Sequence, residues 1–181
     1  ASVFFSGDFA EKKILLNSTE ITGTKTQTSN GVRIDILITN EMENTLRAQG
    51  LDYNGITHTK TISFVIDKTP PVITILGLTH GGYYTAATPD VIIPNEISGT
   101  YTITAMLDGA NYTIATPITA QGMHNLYLMV IDQAGNKSQT NISFIIDSVL
   151  PVITISGVNN DSYYKADVTI NVNISELNIN S

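Results

Sequence analysis

Cysteine is absent from the 181 residues, which excludes a disulfide framework and any Cys-based zinc site. In a secreted protein that absence points to a bacterial or archaeal surface rather than an animal one. Charge is sparse: charged residues make up 14%, with nine Lys/Arg against sixteen Asp/Glu and a net charge of −7. No Lys/Arg cluster exists to displace counterions, so a nucleic-acid backbone is excluded as partner. The same acidity excludes an anionic membrane surface. No apolar run approaches the ~20 residues that span a bilayer, so no membrane insertion is expected. No signal peptide opens the chain, and Ala1 reads as a cut within a longer protein whose ends carry the export signal and the anchor. Helical periodicity is lacking throughout.

What the chain does have is a repeat. Phe64-Val65-Ile66-Asp67-Lys68-Thr69-Pro70-Pro71-Val72-Ile73-Thr74-Ile75-Leu76-Gly77 returns eighty positions later as Phe144 to Gly157, nine of fourteen pairs being identical without a gap. Tyr83-Tyr84 recurs in the same register as Tyr163-Tyr164. A fixed period of this kind marks a tandem array. Within the repeated segment a β-branched run ends at Asp67, and proline then halts strand pairing through its missing N–H. A second β-branched run follows. The segment therefore reads as the last strand of one module, a stiff linker, and the first strand of the next.

Three modules result. Residues 1–67 form a module lacking its first strand, with strands at Val3-Phe4-Phe5, Lys13 to Leu16, Val32 to Ile38, from Glu43, and Thr59 to Ile66. Val32, Ile34, Ile36 and Ile38 alternate onto one face. Residues 68–147 form a complete module, with strands near 72–76, 90–94, 100–107, 111–115, 124–131 and 139–146 and a short one around Ile118. Asp108-Gly109 is a tight hairpin turn. Tyr101, Ile103 and Ala105 are expected to face inward, as are Leu126, Leu128 and Val130. Residues 148–181 supply the first strands of a third module, at 152–156 and 168–172. Short strands with turns at this spacing indicate a β-sandwich.

The motif apolar-x-Ile-Asp-x-x-x-Pro, a β-branched run, Gly and Tyr-Tyr resembles the tandem Ig-like repeats of bacterial secreted and cell-surface, adhesin-type proteins. So does Leu-x-Leu-x-Val-x-Asp-x-Ala-Gly-Asn at Leu126 to Asn136. The resemblance covers the second module, half of the first and the start of the third. It implies an all-β chain of tandem immunoglobulin-like β-sandwiches, one complete module flanked by two partial ones, on a bacterial surface or in the extracellular medium. Gly55-Ile56 departs from the pattern where Gly135-Asn136 keeps it.

In an Ig sandwich the loop before the last strand shares a pole with the module's N-terminus, which brings Asp67, Glu96, Asp132 and Asn136 together. Hard oxygen ligands from several loops suit Ca²⁺, and some related adhesin repeats are stiffened by Ca²⁺ at their junctions. The structural alternative is that Asp67 caps a turn and Asp132 forms an Asx-turn before Gly135. His58, His80 and His124 share no register and read as surface or loop residues. The sequons at Asn17, Asn111, Asn136, Asn141, Asn160 and Asn173 are what an Asn/Ser/Thr-rich chain produces by chance. Tyr83-Tyr84 suits either a sugar-stacking platform or a ring pair split between core and junction. A Lys–Asn isopeptide crosslink finds only Lys68 and Lys137 in the second module. No nucleophile–His–acid pattern is present, so no catalysis is expected.

Two functions fit. The first is a non-catalytic stalk or spacer, with a role in adhesion to a host or matrix protein or a glycan and with neighbouring repeats as partners. The second is an accessory or carbohydrate-binding array of a secreted polysaccharide-acting enzyme. Strand exchange between chains through the incomplete end modules is a further expectation.

Overall fold

The computed structural model describes residues 1–94, 96, 97 and 99–176. Every element among them is a strand, and no helix there is long and apolar enough to cross a membrane. In chain order they are β1 (Ser2–Ser6), β2 (Glu11–Leu16), β3 (Thr19–Glu20), β4 (Thr24–Thr28), β5 (Gly31–Asp35), β6 (Met42–Leu51), β7 (Thr57–Ile66) and β8 (Thr74–Leu76). There follow β9 (Tyr83–Tyr84), β10 (Asp90–Ile92), β11 (Tyr101–Leu107), β12 (Ala110–Asn111), β13 (Gly122–Asp132), β14 (Lys137–Ile146), β15 (Val152–Ser156) and β16 (Asn171–Ser175). The protein is all-β, built of several sheets.

The chain divides into two compact units, one of residues 1–73, 93–103 and 129–138, the other of 74–92, 104–128 and 139–181. In the first, a sheet of order β1-β5-β4 and a sheet of order β3-β2-β6-β7 face one another. Phe5 and Ile34 come from one sheet and Ile14 and Leu46 from the other, and with Ile36 they form one buried cluster. Val32, Ile38 and Phe64 pack on it, so the expected inward face of the Val32–Ile38 run holds. The ladder of β5 ends at Asp35, Ile36 still exchanges backbone bonds with Ala1 at 2.8 Å each way, and Leu37 stands exposed. Gly50 is required where it is, since a Cβ there would lie 2.6 Å from the Phe9 ring.

Elsewhere β8 pairs with β10 and β15 with β16, while a five-stranded sheet has the order β12-β11-β13-β14-β9. Leu126, Leu128 and Val130 on β13 are fully buried, as are Phe144 and Ile146 on β14, which is the alternation that period-2 patterning predicts. Asp108 and Gly109 both take positive φ, 52° and 83°, as a type I′ hairpin turn demands. Ala105 is buried, but Tyr101 is 42% exposed because it opens β11 at its outer end. The expected strand at 111–115 shrinks to β12: Tyr112 and Thr113 pass into a turn closed by the Tyr112 hydroxyl bond to Thr116 O, 2.5 Å. Ile118 forms an isolated bridge with Ala87.

The eighty-residue period reappears in the strands. β6 and β13 start at 42 and 122; β7 and β14 run 57–66 and 137–146. The earlier halves differ, for β2 flanks β6 whereas β11 flanks β13. In the last segment the second strand lies at Asn171–Ser175 rather than 168–172. Its apolar alternation runs on through Ile174, and pairing with β15 from Ser156↔Asn171 to Val152↔Ser175 sets its bounds.

Candidate metal centre

Asp67 follows β7, Glu96 lies in the turn region after β10, and Asp132 ends β13. One carboxylate oxygen from each lies within 4.8 Å of the other two. Residues separated by 65 positions in the chain thus meet at one point, as the junction reading expected.

Asn136 ties this group down. Its backbone N–H donates to Asp132 Oδ1 at 2.8 Å, and its Nδ2 donates to Asp132 Oδ2 at 2.8 Å and to the Asp67 carbonyl at 3.2 Å. Gly135 N–H donates to Asp132 O, 3.2 Å, closing the turn before β14. Asp132 is therefore both the Asx-turn residue and a member of the carboxylate group. The side-chain nitrogen of Asn136 faces Asp132, which makes Asn136 the holder of the group.

Asp67 differs from Asp132 in its partners. Its Oδ1 accepts Thr69 N–H at 3.1 Å, but its Oδ2 is buried with no hydrogen-bond partner. Burial, the largest influence, lifts the Asp67 carboxyl above its ordinary range; the Thr69 bond opposes this, and the Glu96 and Asp132 carboxylates push further upward. At Asp132 burial also pushes upward, but the bonds from Asn136, Gly135 and Ala134 prevail and the carboxyl lies below its ordinary range. A carboxylate oxygen deprived of water and set beside two others is costly when ionised, and a cation relieves that cost. Ca²⁺ takes six to eight oxygens at about 2.3–2.6 Å, so two oxygens on one ion lie at most about 5 Å apart. The three carboxylates fit that limit.

Some features of the junctions carried no sequence signal. Glu41 Oε1 accepts Lys68 N–H at 3.1 Å, and the Thr69 hydroxyl also bonds it. Eighty residues on, Gln121 Oε1 accepts Ser148 N–H at 3.0 Å and its Nε2 donates to Ser148 Oγ at 2.6 Å. Both side chains hold the start of a linker. The register pairs positions 41 and 121, but Glu and Gln do not look like a motif.

His124 overturns the surface reading of the histidines. It is 7% exposed, with Nδ1 at 2.7 Å from Asp108 Oδ2 and Nε2 at 2.7 Å from Ala120 O. Two acceptors favour the protonated ring, which has two N–H donors. Burial, the largest influence, disfavours that charge; the bonds to Ala120 O and Asp108 outweigh it and raise the ring's pKa above 6.5. His58 stays exposed and bonds Asp52 at 3.2 Å. Tyr84 packs edge-on against Phe144, centroids 6.3 Å apart, while Tyr83 is half exposed. Lys68 Nζ donates to Thr39 O at 2.8 Å.

No protein-family model and no curated protein matches this chain. Among solved structures, the fibronectin(III)-like modules of Clostridium thermocellum CbhA match over 76% of this chain and 78% of theirs, at 11% identity and a TM-score of 0.35. At that level the likeness informs neither the module count nor the activity.

Proposed function

We propose that this chain is a non-catalytic spacer segment of a bacterial surface or secreted protein. Its modules are Ig-like and divide as 1–67, 68–147 and 148–181, the middle one complete. The observation that carries this reading is the recurrence, at a fixed offset of eighty, of both sequence and junction chemistry. Asp67 Oδ1 accepts Thr69 N–H and Asp147 Oδ1 accepts Val149 N–H, each at 3.1 Å, and Glu41 and Gln121 grip the next residue in the same way. A repeated strand–Asp–proline connection suits a protein whose work is to hold successive modules in line. Low charge and polar strand faces support a mechanical role.

Ca²⁺ binds at Asp67, Glu96 and Asp132 in this reading, with Asn136 positioning Asp132. Occupancy neutralises the buried carboxylates and ties the end of β7 to the end of β13, which stiffens the connection. Thermal unfolding of the chain with Ca²⁺ and with chelator tests this. A ligand that binds only the folded state must raise the midpoint, and equal midpoints would strike the metal from the reading. The spacer role is tested by small-angle scattering of a longer tandem segment, where an extended, rod-like envelope is expected and a collapsed one would count against it.

A further inference from the structure

The two units hold the residues after β7 and after β14 with the same device, built from different chemistry. In the first, Asn44 is fully buried and its Nδ2 donates to the carbonyl of Asn40 at 3.3 Å. The residue after that carbonyl, Glu41, accepts Lys68 N–H at 3.1 Å. Eighty positions on, His124 Nε2 lies 2.7 Å from the carbonyl of Ala120. The residue after it, Gln121, accepts Ser148 N–H at 3.0 Å and donates to Ser148 Oγ at 2.6 Å. In both, a buried side chain pins the carbonyl four residues back, and the next residue reaches out to grip the connection. Residues 119–121 are irregular, lying between the Ile118 bridge and the start of β13, so the pin fixes a segment that no strand ladder holds.

The pins differ in one respect. An Asn amide keeps its N–H groups at any pH, whereas an imidazole has two N–H groups when protonated and one when neutral. His124 is 7% exposed, and its Nδ1 lies 2.7 Å from Asp108 Oδ2 in the β11–β12 turn. Asp108 is the one charged group that acts on the ring among the described residues, and Asn125 N–H holds its other oxygen at 2.8 Å. From β14 the ring meets only Phe144, centroids 5.6 Å apart. His80 also reaches β14, but it accepts Ser143 N–H at 3.3 Å, and residue 143 points to the opposite face from Phe144. A neutral His124 must give up one of its two bonds. The carboxylate is the stronger acceptor, so the remaining proton stays on Nδ1. The Nε2 lone pair then faces the Ala120 oxygen, and two acceptors at 2.7 Å repel.

We propose that His124 is a proton-operated latch on the connection between β14 and β15. Protonated, it fixes Ala120 and lets Gln121 hold Ser148; neutral, it releases Ala120 and the grip of Gln121 loosens. Because the two bonds raise the ring's pKa above 6.5, the latch is shut in acid and opens as pH rises through the folded value. The grip on Lys68 has no such latch, since Asn44 does not titrate. As a device in a spacer the latch rests on the spacer reading, whereas the measurement that tests it reads the latch alone.

That measurement is amide exchange of Ser148 in the full chain by NMR, from about pH 5.5 to about pH 9, across the range in which a raised His titrates. The His124 ring is titrated on the same samples, and exchange is corrected for its intrinsic pH dependence. Protection of Ser148 is expected to fall about fivefold, the equivalent of one hydrogen bond, with the midpoint of the ring. His124→Asn, which copies the first unit, should keep the protection level. Coupling is reciprocal, so Gln121→Ala should move the ring's midpoint to lower pH by about 0.5. Ser148 protection that stays level while the parent's ring titrates overturns the proposal. So does a ring that does not titrate in this range, or a loss of protection that persists at the same midpoint in His124→Asn. Should His124→Asn fail to fold, the exposed Gln121→Ala decides: a lower ring midpoint upholds the latch, and an unchanged one overturns it.

Discussion

Phe144 and Phe64 occupy the same place in the same repeated strand, yet Phe144 is 1% exposed while Phe64 is only partly buried. Their neighbours diverge further: Ile142 is 9% exposed and Ile62 49%. Strand bounds, alternation and the Ile-Ser-Phe triplet agree, so the local strand structure is not the cause. The difference lies in what reaches the outer edge. On β14 the Tyr84 ring meets Phe144 edge-on and the His124 ring lies 5.6 Å away. At the matching positions of the first unit stand Phe4, turned 52% to solvent, and Asn44, buried and bonded to Asn17, Asn40 and Met42. A strand's burial is therefore set by its partners, and two strands that share the same Ile-Ser-Phe become core or edge according to them.

The sharpest way to break that comparison is to truncate both rings. Phe144→Ala should cost about 3–5 kcal/mol in urea unfolding, as expected for a fully buried aromatic, and Phe64→Ala less than half as much. Equal costs would mean that β7 is covered in solution. The carboxylates supply the next contrast. Because the Asp67 pKa is raised in the folded state, folding binds a proton there and Asp67 opposes folding as pH rises from 3.8 through its folded value. Asp67→Asn should raise the thermal midpoint at neutral pH in chelator and abolish any gain from Ca²⁺. Asp147→Asn, at the equivalent turn, should leave the Ca²⁺ response unchanged.

A smaller effect separates His124 from Asn44. With its folded pKa above 6.5, protonated His124 contributes stability that is whole below about 6.5 and is lost as pH rises through the folded value. The midpoint should decline over that window, and His124→Asn, which copies position 44, should flatten the decline. Tyr84→Phe removes bonds to Thr79 N and Oγ1 and should cost about 1 kcal/mol. Tyr164→Phe should cost less, since its hydroxyl loses one exposed bond, to Asn159 N–H, on a residue 45% exposed.

Much of the fold was legible because β-branched alternation is written residue by residue. β6, β7, β13 and β14 fall where Leu46, Phe64, Leu128 and Phe144 predict, and the Asp108-Gly109 turn follows from the φ values that its residues tolerate. Asp67, Glu96 and Asp132 were legible as a group through the expected pole of the sandwich, and they lie together. Asn136 was read as an oxygen donor, but its amide turns a nitrogen to Asp132, an orientation set by the hydrogen bonds around it. His124 was misread because nothing beside it in sequence shows that Asp108 and Ala120 O will flank its ring.

The sequence by itself determined that the chain is built from strands, placed most of the longer ones to within a few residues while missing β4 (Thr24–Thr28), and showed that the pattern returns after eighty residues. These follow from side-chain alternation, turn residues and proline, which act over a few positions. Tertiary structure alone decided that β9 covers β14 while β7 has β6 as its one strand partner among the described residues, that three distant carboxylates share one small space, and that His124 is buried between two acceptors. Each of those depends on which backbone edge or acceptor arrives from far along the chain, and residues 64 and 144, alike in sequence, differ for that reason.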